Sequence, residues 1–179
     1  MENGHQEYER LIKPIEDRMI RTVWRIVLNS DDADDAFQDA LMIIWKKLNK
    51  IRRHPNPHAL ILRVCANSAY DILRRKARYS KREELDSISS EFADIKPAVD
   101  EEFSNRENQK EILFAISKLS RNQAVAVTMR FIQELPYSDI ADALGCRKVT
   151  ARKHVTRARE KLQKLLSHLI PSSQEEVQR

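Results

Sequence analysis

Tyr137-Ser-Asp-Ile-Ala-Asp-Ala-Leu144, then Gly145, then a basic amphipathic run from Lys148 to Leu166, is the stretch that decides the fold. Gly145 is one of only two glycines in 179 residues, the other being Gly4. A chain that avoids glycine elsewhere keeps one where the backbone must turn sharply, at positive φ, between two packed helices. Small Ala141 lets the second helix cross close over the first. The pattern predicts a helix-turn-helix, whose second helix lies in the major groove of DNA.

Working outward, charge is arranged in blocks. From Lys46 to Arg82 there are twelve Lys/Arg against one acid, Asp71. From Glu83 to Glu111 ten acids face Lys96, Arg106 and Lys110. Arg147 to Lys164 returns eight bases against Glu160. Two basic blocks around an acidic one predict two DNA-facing modules with a spacer, in keeping with a net charge of +5.

Nearly every apolar pattern has helical spacing, so the expected class is all-α: two small helical domains joined by a flexible linker. Leu11, Ile12, Ile15, Met19, Val23, Ile26 and Val27 form one amphipathic helix or two, divided near Pro14. Asn29 to Asp32 make a turn and an N-cap. The next helix is expected to bury Phe37, Leu41, Ile44, Trp45 and Leu48, with Asp34, Asp35, Gln38, Asp39 and Met42 elsewhere. After His54-Pro-Asn-Pro57 a basic helix runs from about His58 to Arg78. One of its stripes carries Arg63, Asn67, Tyr70, Arg74 and Arg78; the opposite one carries Ile61, Cys65, Ala69 and Ile72. Domain boundaries are expected at 1–79, with an acidic linker over 80–104, a second domain over 105–170 and a polar tail at 171–179. In that second domain Ile112, Leu113, Ile116 and Leu119 lead to Ser120-Arg-Asn-Gln123, a capping-box pattern. The last helix turns Ala151, Val155, Ala158, Leu162, Leu165 and Leu169 inward.

Function classes narrow accordingly. No apolar run approaches the roughly 20 residues of a membrane span, and the first thirty residues lack an apolar export signal. Cys65 and Cys146 are too isolated for a zinc site or disulfide framework. The five histidines are scattered, and Asp31, Asp32, Asp34, Asp35 and Asp39 point several ways from one helix, so no metal or catalytic constellation forms. The alternative to a two-module DNA binder is a self-sufficient helix-turn-helix regulator, dimeric on palindromic sites.

Three segments, in order, resemble the RNA polymerase sigma factors of the two-domain extracytoplasmic-function type. Asp32-Ala-Asp-Asp-Ala-Phe-Gln-Asp-Ala-Leu41 with Trp45 resembles their polymerase-binding helix. Arg63 to Arg75 resembles the helix that takes the minus-ten element. Leu119 to Gln123, Tyr137 to Ala141, Thr150 and Arg157-Ala-Arg159 resemble the minus-thirty-five domain.

The resemblance implies sigma domain 2, a linker and a helix-turn-helix sigma domain 4. Asp35, Gln38, Asp39 and Met42 match positions that dock on the β′ clamp helices of core polymerase, and the second domain would meet the β flap. Arg63, Asn67, Tyr70, Arg74, Arg75 and Arg78 fall on the minus-ten helix. There Asn67 offers donor and acceptor to a flipped base, and the arginines hold phosphates. Lys148, Thr150, Arg152, Lys153, Thr156 and Arg157 would meet the minus-thirty-five element. Two departures stand out. Leu60 lies where the family often carries Trp, which implies modest promoter melting, and Arg147 replaces a small N-cap residue. The resemblance also implies no cofactor or metal, a probable anti-sigma partner and a bacterial cytoplasmic location.

Overall fold

The computed structural model describes residues 2–27, 29–86, 111–112 and 114–169. Every regular element among them is helical, and the acidic stretch and the polar tail lie outside these residues. The N-terminal pattern resolves into two helices, α1 (Glu2–Leu11) and α2 (Glu16–Val27), separated by a 3-10 turn at Lys13–Ile15 that accommodates Pro14. The seven apolar residues from Leu11 to Val27 are all buried. Asn29 caps α3 (Ser30–Lys46), its Oδ1 accepting the Asp32 amide at 3.1 Å, with Asp31 and Asp32 at the positive end of the helix dipole.

The inner face of α3 differs from the expected one. Ala33, Ala36, Ala40 and Ile44 are buried, Phe37, Leu41 and Leu48 are half-buried, and Trp45 is 40% exposed. Small residues on that face suit a close approach to α5, and the larger side chains are pushed to its edges. After α4 (Leu48–Arg52), Asn56 Oδ1 accepts the Ala59 amide at 3.0 Å and Pro57 begins α5. Pro is suited to that first position, where no amide partner is needed. α5 (Pro57–Asp86) continues eight residues past its expected end and is about 45 Å long at 1.5 Å per residue.

In the second half, residues 111–112 and 114–117 are helical. Then come α6 (Arg121–Phe131), α7 (Tyr137–Leu144) and α8 (Lys148–Leu165), followed by a 3-10 turn at Ser167–Leu169. The Ser120 amide donates to Gln123 Oε1 at 3.1 Å, as the capping-box pattern requires. Gly145 sits at φ 64° in the left-handed region. The Cys146 amide returns to Ala141 O at 3.0 Å and the Gly145 amide to Asp142 O at 3.1 Å, which closes α7 as a Schellman motif. A Cβ there would meet nothing within 4 Å, so conformation alone requires the glycine, at a cost to any other residue of about 1–2 kcal/mol. Of the inward seam of α8, Ala151, Val155 and Ala158 are buried and Leu162 is half-buried. Leu165 is 37% exposed, because α8 ends there and the chain tightens into the 3-10 turn.

The two halves also pack on each other. α2 and α3 lie against one side of α5, and α6 and α7 lie against another. One continuous core results, running from Leu11 through Ile61, Leu62 and Tyr70 to Met129, Ile140 and Val155.

Candidate functional site

Three surfaces carry the residues singled out by the sequence. The first is the outer face of α3. Asp35, Gln38 and Met42 are exposed, Met42 by 52%, and Asp39 is half-buried at the edge. Residues 35, 38, 42 and 45 follow the helical repeat, so exposed Trp45 belongs to this stripe. The sequence reading assigned Trp45 to the core; its helical spacing from Gln38 and Met42 was the available signal. The inner acids are engaged within the molecule: Asp32 pairs with Lys76 at 2.5 Å, and Asp39 lies 4.0 Å from Arg75. Asp35 enters no such pair.

The second surface is the stripe along α5. Arg78 and Arg75 are exposed, Arg63, Asn67 and Arg74 are half-buried, and Tyr70 is only 2% exposed. The Tyr70 hydroxyl meets Thr128 Oγ1 of α6 at 2.5 Å. Arg63 donates to Ala143 O at 2.6 Å and Arg74 to Leu119 O at 3.3 Å. Burial, and then the neighbouring Arg121 charge, lowers the Arg63 guanidinium from its ordinary value. Most of the stripe is therefore turned toward the second domain in this arrangement, and only its C-terminal part faces out.

Burial also pushes the Tyr70 phenol up to about 12, and the Cys65 thiol to about 12. Both are neutral when protonated, and both folded values exceed the unfolded ones. The stability gained by keeping them protonated is complete below the unfolded values and is lost as pH rises toward 12. Each ionisation withheld costs about 1.4 kcal/mol per pH unit in that window. An absorbance titration of the four tyrosines is expected to show one late phase near pH 12. Tyr70→Phe should remove that phase and flatten the alkaline fall in the urea midpoint.

The third surface is the outer side of α8. Lys148, Thr150, Arg152, Lys153, Thr156 and Arg157 are all exposed there. Arg152 is held: its guanidinium lies 5.3 Å from the Tyr137 ring centroid, a ring that Arg130 approaches at 5.2 Å. Val149 is 63% exposed and spaced to share a face with Lys153 and Thr156. Its apolar side chain matches a thymine methyl, a signal present in the sequence but overlooked beside the charges.

Arg147 is the N-cap residue of α8 and makes no capping bond. Arg147→Ser is expected to raise thermodynamic stability by about 1 kcal/mol through the restored cap and the removed dipole conflict. The same change should weaken duplex binding and lower the salt slope by about 1 if the arginine holds a phosphate. Urea unfolding and a salt titration of binding read the two effects separately.

An exposed cationic helix behind a Schellman turn, joined to a second helical unit with a basic stripe, defines a two-module DNA-binding protein of the helix-turn-helix class. The family described as Sigma-70 region 2 matches residues 11–79, and that described as Sigma-70, region 4 matches residues 109–162. The chain belongs to the sigma-70 family of RNA polymerase sigma factors, in its extracytoplasmic-function branch.

Among its relatives, the ECF RNA polymerase sigma-E factor of Escherichia coli K12 is 28% identical over 148 residues, covering 79% of this chain and 77% of that one. The RNA polymerase sigma-H factor of Pseudomonas aeruginosa is 24% identical over 169 residues, covering 91% and 88%. A solved sigma factor, RpoE of Bartonella quintana in complex with the anti-sigma factor NepR, shares the fold with a TM-score of 0.52. It is 24% identical and covers 93% of this chain and 98% of that one.

As a sigma factor the protein associates with core RNA polymerase and promoter DNA and directs transcription initiation; phosphodiester chemistry belongs to the polymerase. Among the described residues no helix is long and apolar enough to cross a membrane.

Proposed function

We propose that the outer face of α3 docks on the β′ clamp helices of core polymerase, the α5 stripe takes the minus-ten element and the outer side of α8 takes the minus-thirty-five element. Residues 1–79 and 105–170 would form the two working units, the second also meeting the β flap. The observation that carries this reading is the separation of charge. A carboxylate and amide row with two exposed apolar side chains, Met42 and Trp45, lies on α3, and cationic rows lie on α5 and α8.

Asp35, Gln38 and Asp39 suit an Arg/Lys-rich partner through charge-assisted hydrogen bonds. Met42 and Trp45 provide the apolar centre that protein interfaces concentrate their affinity in. On α5, Asn67 reads an unstacked base while Arg63, Arg74, Arg75 and Arg78 grip phosphates, with Tyr70 between them. On α8, Lys153, Thr156, Arg157 and Val149 read base edges. Lys148 and Thr150 position the helix, and Arg152, braced on Tyr137, stiffens that arrangement.

An anti-sigma factor that covers these surfaces is the matching regulator, and the bacterial cytoplasm, where polymerase works, is the matching location. The test is run-off transcription by core polymerase with and without the protein, on promoters mapped from the transcripts. Discrete, protein-dependent start sites are expected. Failure to associate with core polymerase at low ionic strength would overturn the reading.

A further inference from the structure

Three arginines of the first domain end on the second domain in the same manner. Arg18 donates to Gln133 O at 3.3 Å, Arg63 to Ala143 O at 2.6 Å and Arg74 to Leu119 O at 3.3 Å. Gln133 follows the end of α6, Ala143 lies in the last turn of α7, and Leu119 follows the helical residues 114–117. Each acceptor is thus a helix C-terminus, where carbonyls lack intrahelical partners and the dipole leaves about half a negative charge. A guanidinium meets such a carbonyl with the same N–H donors it offers a phosphate oxygen.

We infer that the DNA-facing side of α5 has a second occupant: the helix C-termini of the chain's own second domain stand in for phosphates there and must leave before nucleic acid enters. This rests on the minus-ten assignment proposed above. Between the arginines the closure is completed by side chains. The Tyr70 hydroxyl meets Thr128, Gln133 Nε2 donates to Thr22 Oγ1 at 3.1 Å, and Arg121 pairs with Asp71. Tyr70 and Thr128 are each 2% exposed, so neither can meet a DNA strand while the domains are closed.

The closure is also built to give way. Asn67 Oδ1 and Gln133 Oε1 are buried without a hydrogen-bond partner in the protein. An orphaned buried acceptor is a penalty that separation of the domains removes, and a base on Asn67 removes it as well. Arg63 is further disfavoured by the like charge of Arg121. The stretch 87–110 can span up to about 80 Å at 3.3–3.6 Å per residue, ample for the domains to part without unfolding. When closed molecules outnumber open ones about tenfold, the apparent affinity for DNA falls about tenfold.

The test changes only the second domain. Thr128→Arg places a cation beside the Arg63 and Arg74 cluster and removes the partner of Tyr70. Small-angle scattering reports opening, circular dichroism reports helix content, and anisotropy with a short fluorescent single strand of mixed sequence reports DNA affinity. The expected result is a larger radius of gyration, unchanged helicity and about tenfold tighter binding by the free protein. Initiation by the assembled holoenzyme should stay within about twofold, because polymerase already holds the domains apart. Adding Arg63→Ala should erase the gain.

An intact protein that stays compact overturns the latch. An opened protein with no gain in affinity overturns the competition, and a minus-ten footprint that still persists in the holoenzyme would then place the fault in the latch rather than in the minus-ten assignment. If Thr128→Arg loses its helicity, Gln133→Ala is read by the same measurements, with an expected gain of about threefold and no gain counting against the latch.

Discussion

Asp35→Arg is expected to lower affinity for core polymerase by about 100-fold, or about 2.7 kcal/mol, with the unfolding midpoint unchanged. The carboxylate is exposed on α3 and has no ion-pair partner within the chain, so folding gains nothing from it and its reversal removes nothing. At a cationic partner the same reversal both deletes an attraction and creates a repulsion, and like charges brought together cost several kcal/mol. Asp39 is a weaker test because it also lies near Arg75, so its replacement would disturb α5. Trp45→Ala is the apolar counterpart: Trp is among the residues whose truncation costs most at interfaces. Biolayer measurements against core enzyme at two salt concentrations separate the contributions, since the Asp35 effect should shrink with salt and the Trp45 effect should not.

The parts legible in the sequence were those set by local rules. Gly145 announced a left-handed turn, Asn29 an N-cap and Ser120 with Gln123 a capping pair, and each reflects chemistry within a few residues of itself. The seam of α8 followed from period alone through Ala158. Misreadings arose where a second neighbour decides the outcome. On α3 the large apolar residues were taken for the core, yet the alanines are buried, because close packing on α5 favours side chains that take up little room. On α5 the sequence suggested one buried stripe and one solvent-facing stripe. The helix has neighbours on both sides, so Tyr70 is buried with Ile61 and Cys65 although it lies opposite them. Amphipathicity reports a helix's average contrast and cannot register a partner that meets the polar face with carbonyls and hydroxyls. The placement of Arg63 and Arg74 against helix C-termini has no sequence signature at all, since backbone oxygens belong to every residue.

Arg157→Ala is expected to weaken use of the upstream promoter element by about 1–3 kcal/mol if the guanidinium pairs with a guanine edge. Arg157 is exposed, six residues past the Ala151 seam position, and it extends from the middle of α8 rather than from its mobile end. Arg152 provides the internal comparison. Its guanidinium already lies over Tyr137, so Arg152→Ala should loosen the helix surface and weaken binding with no change in which bases are preferred. Binding to a randomised upstream element, sequenced before and after selection, distinguishes the two. Loss of preference at a single base pair in the Arg157 variant identifies a base contact. Uniform weakening with a salt slope reduced by about 1 identifies a phosphate contact and moves the reading of bases to Lys153, Thr156 and Val149.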